Sequence, residues 1–228
     1  MGGGVGLSIY GDHRLATDNS KFAMPETAIG FFPDVGASYF LSNLPNNIGK
    51  FIGLTGEVLT LNEIIFFGLA TDYFPIENLE KVKTSFINNG EIDTKKYEVN
   101  SKSLIIENID IINELFEGNI NEIFAKLKKK NTELENKIYE AFCKKCPMSL
   151  AVTEKLINDA KGKTLKECLE TEFQLSQKIV YRDDFNNGVN SVLVSKDHNP
   201  QWQPSKLSEI NIEDLDKYFE IHTEKLYL

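Results

Sequence analysis

Phe22-Ala-Met-Pro-Glu-Thr-Ala-Ile-Gly-Phe-Phe-Pro-Asp-Val-Gly36 sets two carboxylates, Glu26 and Asp34, into loops punctuated by proline and glycine. Phe22-Ala-Met24 reads as a short strand, so Glu26 leaves the core in a loop of the kind that carries chemistry. Pro33-Asp-Val-Gly-Ala-Ser-Tyr-Phe-Leu reads as the start of a helix over residues 35–44, with Asp34 as the N-cap for the unpaired N–H groups of its first turn. A binding role for Asp34 is compatible with that cap.

Upstream stands Met1-Gly-Gly-Gly-Val-Gly-Leu-Ser8. Glycines let bare backbone N–H groups approach a substrate oxygen. Polyglycine by itself reads equally as a flexible linker; followed by a carboxylate pair, it suggests donors for an oxyanion and hence acyl chemistry. Nucleotide loops are poor alternatives. Gly6-Leu-Ser-Ile-Tyr-Gly11 has phosphate-loop spacing, but Asp12 replaces the required lysine, and Ile9 stands where the last glycine of G-x-G-x-x-G would be.

Further out, Cys146-Pro-Met-Ser-Leu150 and Arg182-Asp-Asp-Phe-Asn-Asn-Gly-Val-Asn-Ser-Val-Leu-Val-Ser-Lys196, with Pro200-Gln-Trp-Gln-Pro204, complete a set of separated motifs in one order. Together they resemble the crotonase (enoyl-CoA hydratase/isomerase) superfamily and, within it, the 3-hydroxyisobutyryl-CoA hydrolases of valine breakdown. The resemblance implies an α/β fold: the C-terminal part of a spiral crotonase core in residues 1–75, then a mainly helical region in residues 76–228. It implies that Gly3 donates the second oxyanion-hole N–H. Glu26 becomes the catalytic carboxylate, as nucleophile or as base for water, and Asp34 meets the substrate hydroxyl in the acyl pocket. All three then touch an acyl-CoA. No metal or separate cofactor is implied, CoA being part of the substrate; the family also implies a mitochondrial location and allows a homo-oligomer. Sister hydratases carry a second glutamate where this chain has Gly6 and small residues where it has Asp34, which favours hydrolysis over hydration. A non-catalytic CoA-binding or assembly-forming piece is the alternative from another class.

Two departures from the family stand out. Ala37 replaces a usual glycine, and its methyl clashes if φ there must be positive. The family also places the glycine cluster well inside the protein, after an N-terminal half holding the first oxyanion donor and much of the CoA groove. The 228 residues therefore read as part of a longer protein and are expected to bind acyl-CoA poorly and hydrolyse none alone.

Composition fits a folded chain, with 41% hydrophobic and 26% charged residues. A net charge of −9 argues against a nucleic-acid surface; Lys126, Lys128, Lys129 and Lys130 read as a solvated helix end. No apolar run approaches the ~20 residues of a membrane helix, the nearest being Ile64–Ala70. Cys143, Cys146 and Cys168 read as reduced thiols, and the lone C-x-x-C lacks a second pair for zinc. His13, His198 and His222 take no role. Lys196 is a possible contact for a CoA phosphate, and Trp202 an anchor for the tail.

Beyond Pro75 the pattern is helical. Apolar residues recur at spacings of three and four in Leu104–Phe116 and in Leu165–Ile179. Gly118, Gly162 and Gly188 read as punctuation, Pro147 as the first residue of a helix, and 86–97 as a polar, turn-rich insertion. Five or more helices are expected.

Overall fold

A computed structural model describes residues 1–92, 94–95, 97–100, 102–129, 132–221 and 226. Asp93 and Lys96 of the 86–97 stretch, Lys130 of the basic run and His222 lie outside the described residues.

The first third is built from short pieces: α1 (Gly3–Ser8), β1 (Leu15–Ala16), β2 (Lys21–Phe22), a 3-10 turn over Glu26–Ile29, α2 (Ala37–Ser42), α3 (Ile48–Thr55), β3 (Leu59–Thr60), α4 (Leu61–Phe66) and β4 (Asp72–Tyr73). β1 pairs in parallel with β4, Leu15 opposite Asp72 and Ala16 opposite Tyr73. β2 pairs antiparallel with β3, Phe22 opposite Leu59. The expected strand at 22–24 thus reduces to Lys21–Phe22, although Ala23 and Met24 are fully buried beyond it.

Nine α-helices follow among the described residues: α5 (Leu79–Asn89), α6 (Leu104–Glu107), α7 (Ile109–Leu115), α8 (Ile120–Leu127), α9 (Glu133–Cys143), α10 (Pro147–Asp159), α11 (Leu165–Ile179), α12 (Asp183–Val189) and α13 (Ile212–Phe219). Pro147 opens α10, where its missing N–H costs nothing. Capping boxes start α8 at Asn119 and α11 at Thr164, each with a glutamate three residues on. The expected insertion at 86–97 begins as helix instead: Phe86–Asn89 finish α5, and Gly90 ends it in a left-handed conformation at φ 70°. Lys128 and Lys129 are solvated past the end of α8, while the Lys126 ammonium donates to the Glu114 and Glu117 carbonyls.

The main apolar core spans both parts of the chain, joining Met24, Leu41, Phe51, Ile52 and Leu59 to Ile112, Phe116, Ile123, Phe142 and Leu150. Phe51 meets Phe116 edge to face at 5.5 Å. A smaller cluster of Phe32, Cys146, Met148, Val152, Leu156, Leu175 and Ile179 lies below the Glu26 loop, and Trp202 packs against it as a tail anchor should. No helix among the described residues is long and apolar enough to cross a membrane.

Candidate active site

Glu26 owes its place to a loop fastened at each step. Pro25 ends the buried run that follows β2, the 3-10 turn carries Glu26 in its first position, and Gly30 reverses the chain at φ 74°. The Cys146 N–H at the head of α10 donates to the Thr27 carbonyl at 3.0 Å. The Thr27 hydroxyl donates to the Leu54 carbonyl at the end of α3, 3.3 Å away.

Helix α12 forms the other wall. A Cβ on Gly30 would fall 2.4 Å from the Asp184 carbonyl oxygen, and one on Gly188 would fall 2.3 Å from the Ile29 carbonyl carbon. Gly188 therefore does not stop a helix, as its spacing suggested. It lies inside α12 and is glycine because two backbones touch there. Asp184 is held below by the Arg182 guanidinium and the Gln203 N–H.

Only 7% of Glu26 is exposed, and its Oε2 is buried with no hydrogen-bond partner among the described residues. Burial pushes its carboxyl up to about 7; the nearby Asp34 charge adds to this, and the Lys145 ammonium opposes it. The cost of keeping a charge out of water is what raises the value. Lys145 is itself held below the usual lysine range by burial, with Glu57 and then Glu26 pulling the other way. A carboxyl near neutrality can exchange a proton with water or a leaving thiolate.

The glycine cluster reaches this carboxyl. A Cβ on Gly2 would lie 3.7 Å from Glu26 Oε1. Gly3 heads α1 in an exposed position, so its N–H belongs to the first turn, which has no partner within the helix.

Asp34 is half-buried, and burial raises its carboxyl above the ordinary range. It is not the cap of α2. The residue before the helix is Gly36, at φ 82°, and no side chain of the local segment caps it. Glu172, in α11, takes that place: it accepts from the Gly36 N–H at 2.7 Å, the Ser38 N–H at 2.9 Å and the Ser38 hydroxyl at 2.6 Å. Asp34 is thus left without a capping duty. Ala37 begins the helix fully buried, and the left-handed residues are Val35 at φ 59° and Gly36, so its methyl meets no backbone conflict.

Val35 closes the space above Gly6. A Cβ on Gly6 would lie 2.5 Å from Val35 Cβ and 2.8 Å from Cγ2. Any side chain at position 6, including a hydratase-type glutamate, is shut out while Val35 stays there.

Sequence reasoning passed over Glu172, Val35 and Lys145. Glu172 carried a signal. It interrupts the buried stripe Cys168, Glu172, Leu175, Ile179 on one face of α11, where a charge needs a partner. The other residues singled out stay apart: Lys196 is exposed, His13 pairs with Asp72 on the surface at 3.5 Å, and Cys143 is exposed while Cys146 is buried. Among the described residues no three His, Cys, Asp or Glu are grouped to hold a metal ion.

Residues 1–219 match the enoyl-CoA hydratase/isomerase family along almost the whole chain. The chain belongs to the enoyl-CoA hydratase/isomerase family. Among curated members it is 40% identical to the mitochondrial 3-hydroxyisobutyryl-CoA hydrolase of Dictyostelium discoideum and 37% identical to the human one, with 96% of this chain covered in each case. It spans about 60% of the length of these relatives. Among solved members, a carnitinyl-CoA dehydratase from Mycobacterium thermoresistibile superposes with a TM-score of 0.91 at 30% identity, over 100% of this chain and 67% of that one. An enoyl-CoA hydratase from Rhodobacter sphaeroides 2.4.1 gives 0.89 at 28%, over 96% and 65%. The short strands and long helical region are therefore a crotonase-fold core with its helical extension.

Proposed function

We propose that this chain carries the acyl end of the active site of a thioester hydrolase acting on 3-hydroxyisobutyryl-CoA, releasing 3-hydroxyisobutyrate and CoA, in the mitochondrion as the relatives' names have it. The observation that carries this is the pairing of one buried, near-neutral carboxyl, Glu26, with a Gly6 position sealed by Val35. Hydration of an enoyl group uses two glutamates in this family, and here the second has neither a side chain nor the room for one.

In the proposed reaction Glu26 takes a proton from water as the water oxygen bonds to the thioester carbonyl carbon. The Gly3 N–H helps hold the negative oxygen that develops. The C–S bond then breaks, and the proton on Glu26 passes to the departing thiolate. A covalent route uses the same carboxylate and the same donor: Glu26 attacks the carbonyl carbon, and the C–S bond breaks to release CoA thiolate and leave an anhydride. Water then opens the anhydride to the hydroxy acid and the regenerated Glu26 carboxylate, with a water proton passing to the thiolate. Asp34 accepts from the hydroxyl of the acyl group and so favours hydroxylated substrates.

The test is thiol release from 3-hydroxyisobutyryl-CoA against loss of enoyl absorbance from crotonyl-CoA, using a protein of the relatives' full length that contains this sequence. Hydrolysis is expected to be the faster. Hydration exceeding hydrolysis refutes the proposal and returns the chain to the hydratases.

A further inference from the structure

The turn Asp34-Val35-Gly36 is held in a form that its own sequence disfavours. Val35 is β-branched yet sits at φ 59°, a region such residues rarely enter. Strain of this kind persists only where the surroundings impose it, and here three contacts do so. Val35 is wedged onto the bare backbone of Gly6. The Tyr10 hydroxyl donates to the Gly36 carbonyl, and a Cβ on Gly36 would lie 2.1 Å from that hydroxyl oxygen. The Glu172 carboxylate spends both oxygens on Gly36 and Ser38, arriving from α11, 136 residues away from Gly36.

Glu172 is only 4% exposed, and both of its carboxyl oxygens accept from the turn. Burying a carboxylate is costly, and a helix of six residues could be capped by any local serine or aspartate at far less expense. What a carboxylate reaching in from α11 adds is a simultaneous grip on the N–H groups of residues 36 and 38, which fixes the backbone just after Asp34.

We propose that Glu172 is a positioning residue for Asp34: by clamping Gly36 and Ser38 it holds the Asp34 carboxylate where it meets the hydroxyl of the acyl group, and so sets the preference for hydroxylated over plain acyl-CoA. This rests on the hydroxyl-binding role of Asp34 proposed above.

The readout is the ratio of kcat/KM for 3-hydroxyisobutyryl-CoA to that for isobutyryl-CoA, in the full-length protein. Glu172→Gln keeps the volume but turns an amide N–H2 toward one of the donors. It is expected to lower the ratio about tenfold, the worth of one well-made hydrogen bond, with plain acyl-CoA turnover little changed. Tyr10→Phe and Ser38→Ala each remove one bond of the clamp and are expected to move the ratio the same way by less; they carry the test should Glu172→Gln fail to fold. In an Asp34→Asn background none of the three should alter the ratio further. A wild-type protein with no preference for the hydroxylated thioester overturns the role of Asp34, and this proposal with it. A clear wild-type preference that survives in folded Glu172→Gln, Tyr10→Phe and Ser38→Ala overturns this proposal alone.

Discussion

Adding one methyl group at position 6 tests how Val35 and Gly6 are fitted together. A Cβ there meets three atoms of one residue, Val35 Cβ at 2.5 Å, Cγ2 at 2.8 Å and Cγ1 at 3.2 Å. Apolar carbons rest at about 3.5–4.0 Å, so roughly 1 Å must be found by moving α1 or the turn. Overpacking of this size costs ~1–3 kcal/mol. Alanine in place of glycine inside α1 returns about 0.5–1 kcal/mol of helix propensity, leaving Gly6→Ala destabilised by up to ~2.5 kcal/mol. Val35→Gly removes all three obstructing atoms. It also relieves a β-branched residue at φ 59°, worth on the order of 1–3 kcal/mol, against the packing its methyl groups lose. In that background Gly6→Ala should change sign and stabilise. Urea unfolding of the four proteins at one pH then gives a coupling of ~1–3 kcal/mol, beyond the ~0.5 kcal/mol within which independent sites add. Additive effects would show that Val35 does not occupy the space above Gly6, and the structural case against a hydratase would fall with it. The same logic extends to activity: Gly6→Glu with Val35→Gly should hydrate crotonyl-CoA faster than Gly6→Glu alone.

Four further outcomes are expected. With the Glu26 carboxyl pushed up to about 7 by burial, the carboxylate that the proposed reaction needs forms only as pH rises; in a protein of the relatives' full length, kcat/KM for thiol release should therefore climb about tenfold per unit below pH ~6 and level off above ~8, and a flat profile between pH 5 and 8 would refute that protonation state. In a protein of the relatives' full length, Glu26→Gln should abolish turnover, by at least ~100-fold, while product CoA binds nearly as before in calorimetry; in the same protein Asp34→Asn should harm hydroxylated substrates more than plain ones, and equal losses on both would deny it a substrate contact. Gly188→Ala puts a methyl 2.3 Å from the Ile29 backbone, which no rotamer change can relieve; it should cost ~2 kcal/mol or more, lower Tm, and reduce kcat by displacing the Glu26 turn, whereas an unperturbed Tm would mean that α12 does not touch the turn.

Much of this protein was written locally. The helices after Pro75 follow from apolar spacing, proline at a first turn and S/T/N-x-x-E boxes, all of which act over a few residues. Glu26, Asp34 and the glycine cluster were legible as a group, because glycine, proline and carboxylates crowd into the first 36 positions. Glu172 left a fainter mark, a charge inside the buried stripe of α11, which says that a partner exists without saying where.

Only the tertiary structure decided what each of these groups faces. Asp34 looked like a helix cap because the propensity rule sees nearest neighbours, and a carboxylate from α11, 134 residues beyond Ser38, had taken the donors. Gly188 looked like a stop because the requirement that makes it glycine comes from the Ile29 backbone, far away in sequence. Gly6 shows in the sequence that a side chain is missing, but that Val35 fills the space above it is a distance. Whether Glu26 is charged at neutral pH depends on how much water the fold removes from it, since a side chain's proton affinity is set by its surroundings and those are assembled from segments that the chain keeps apart.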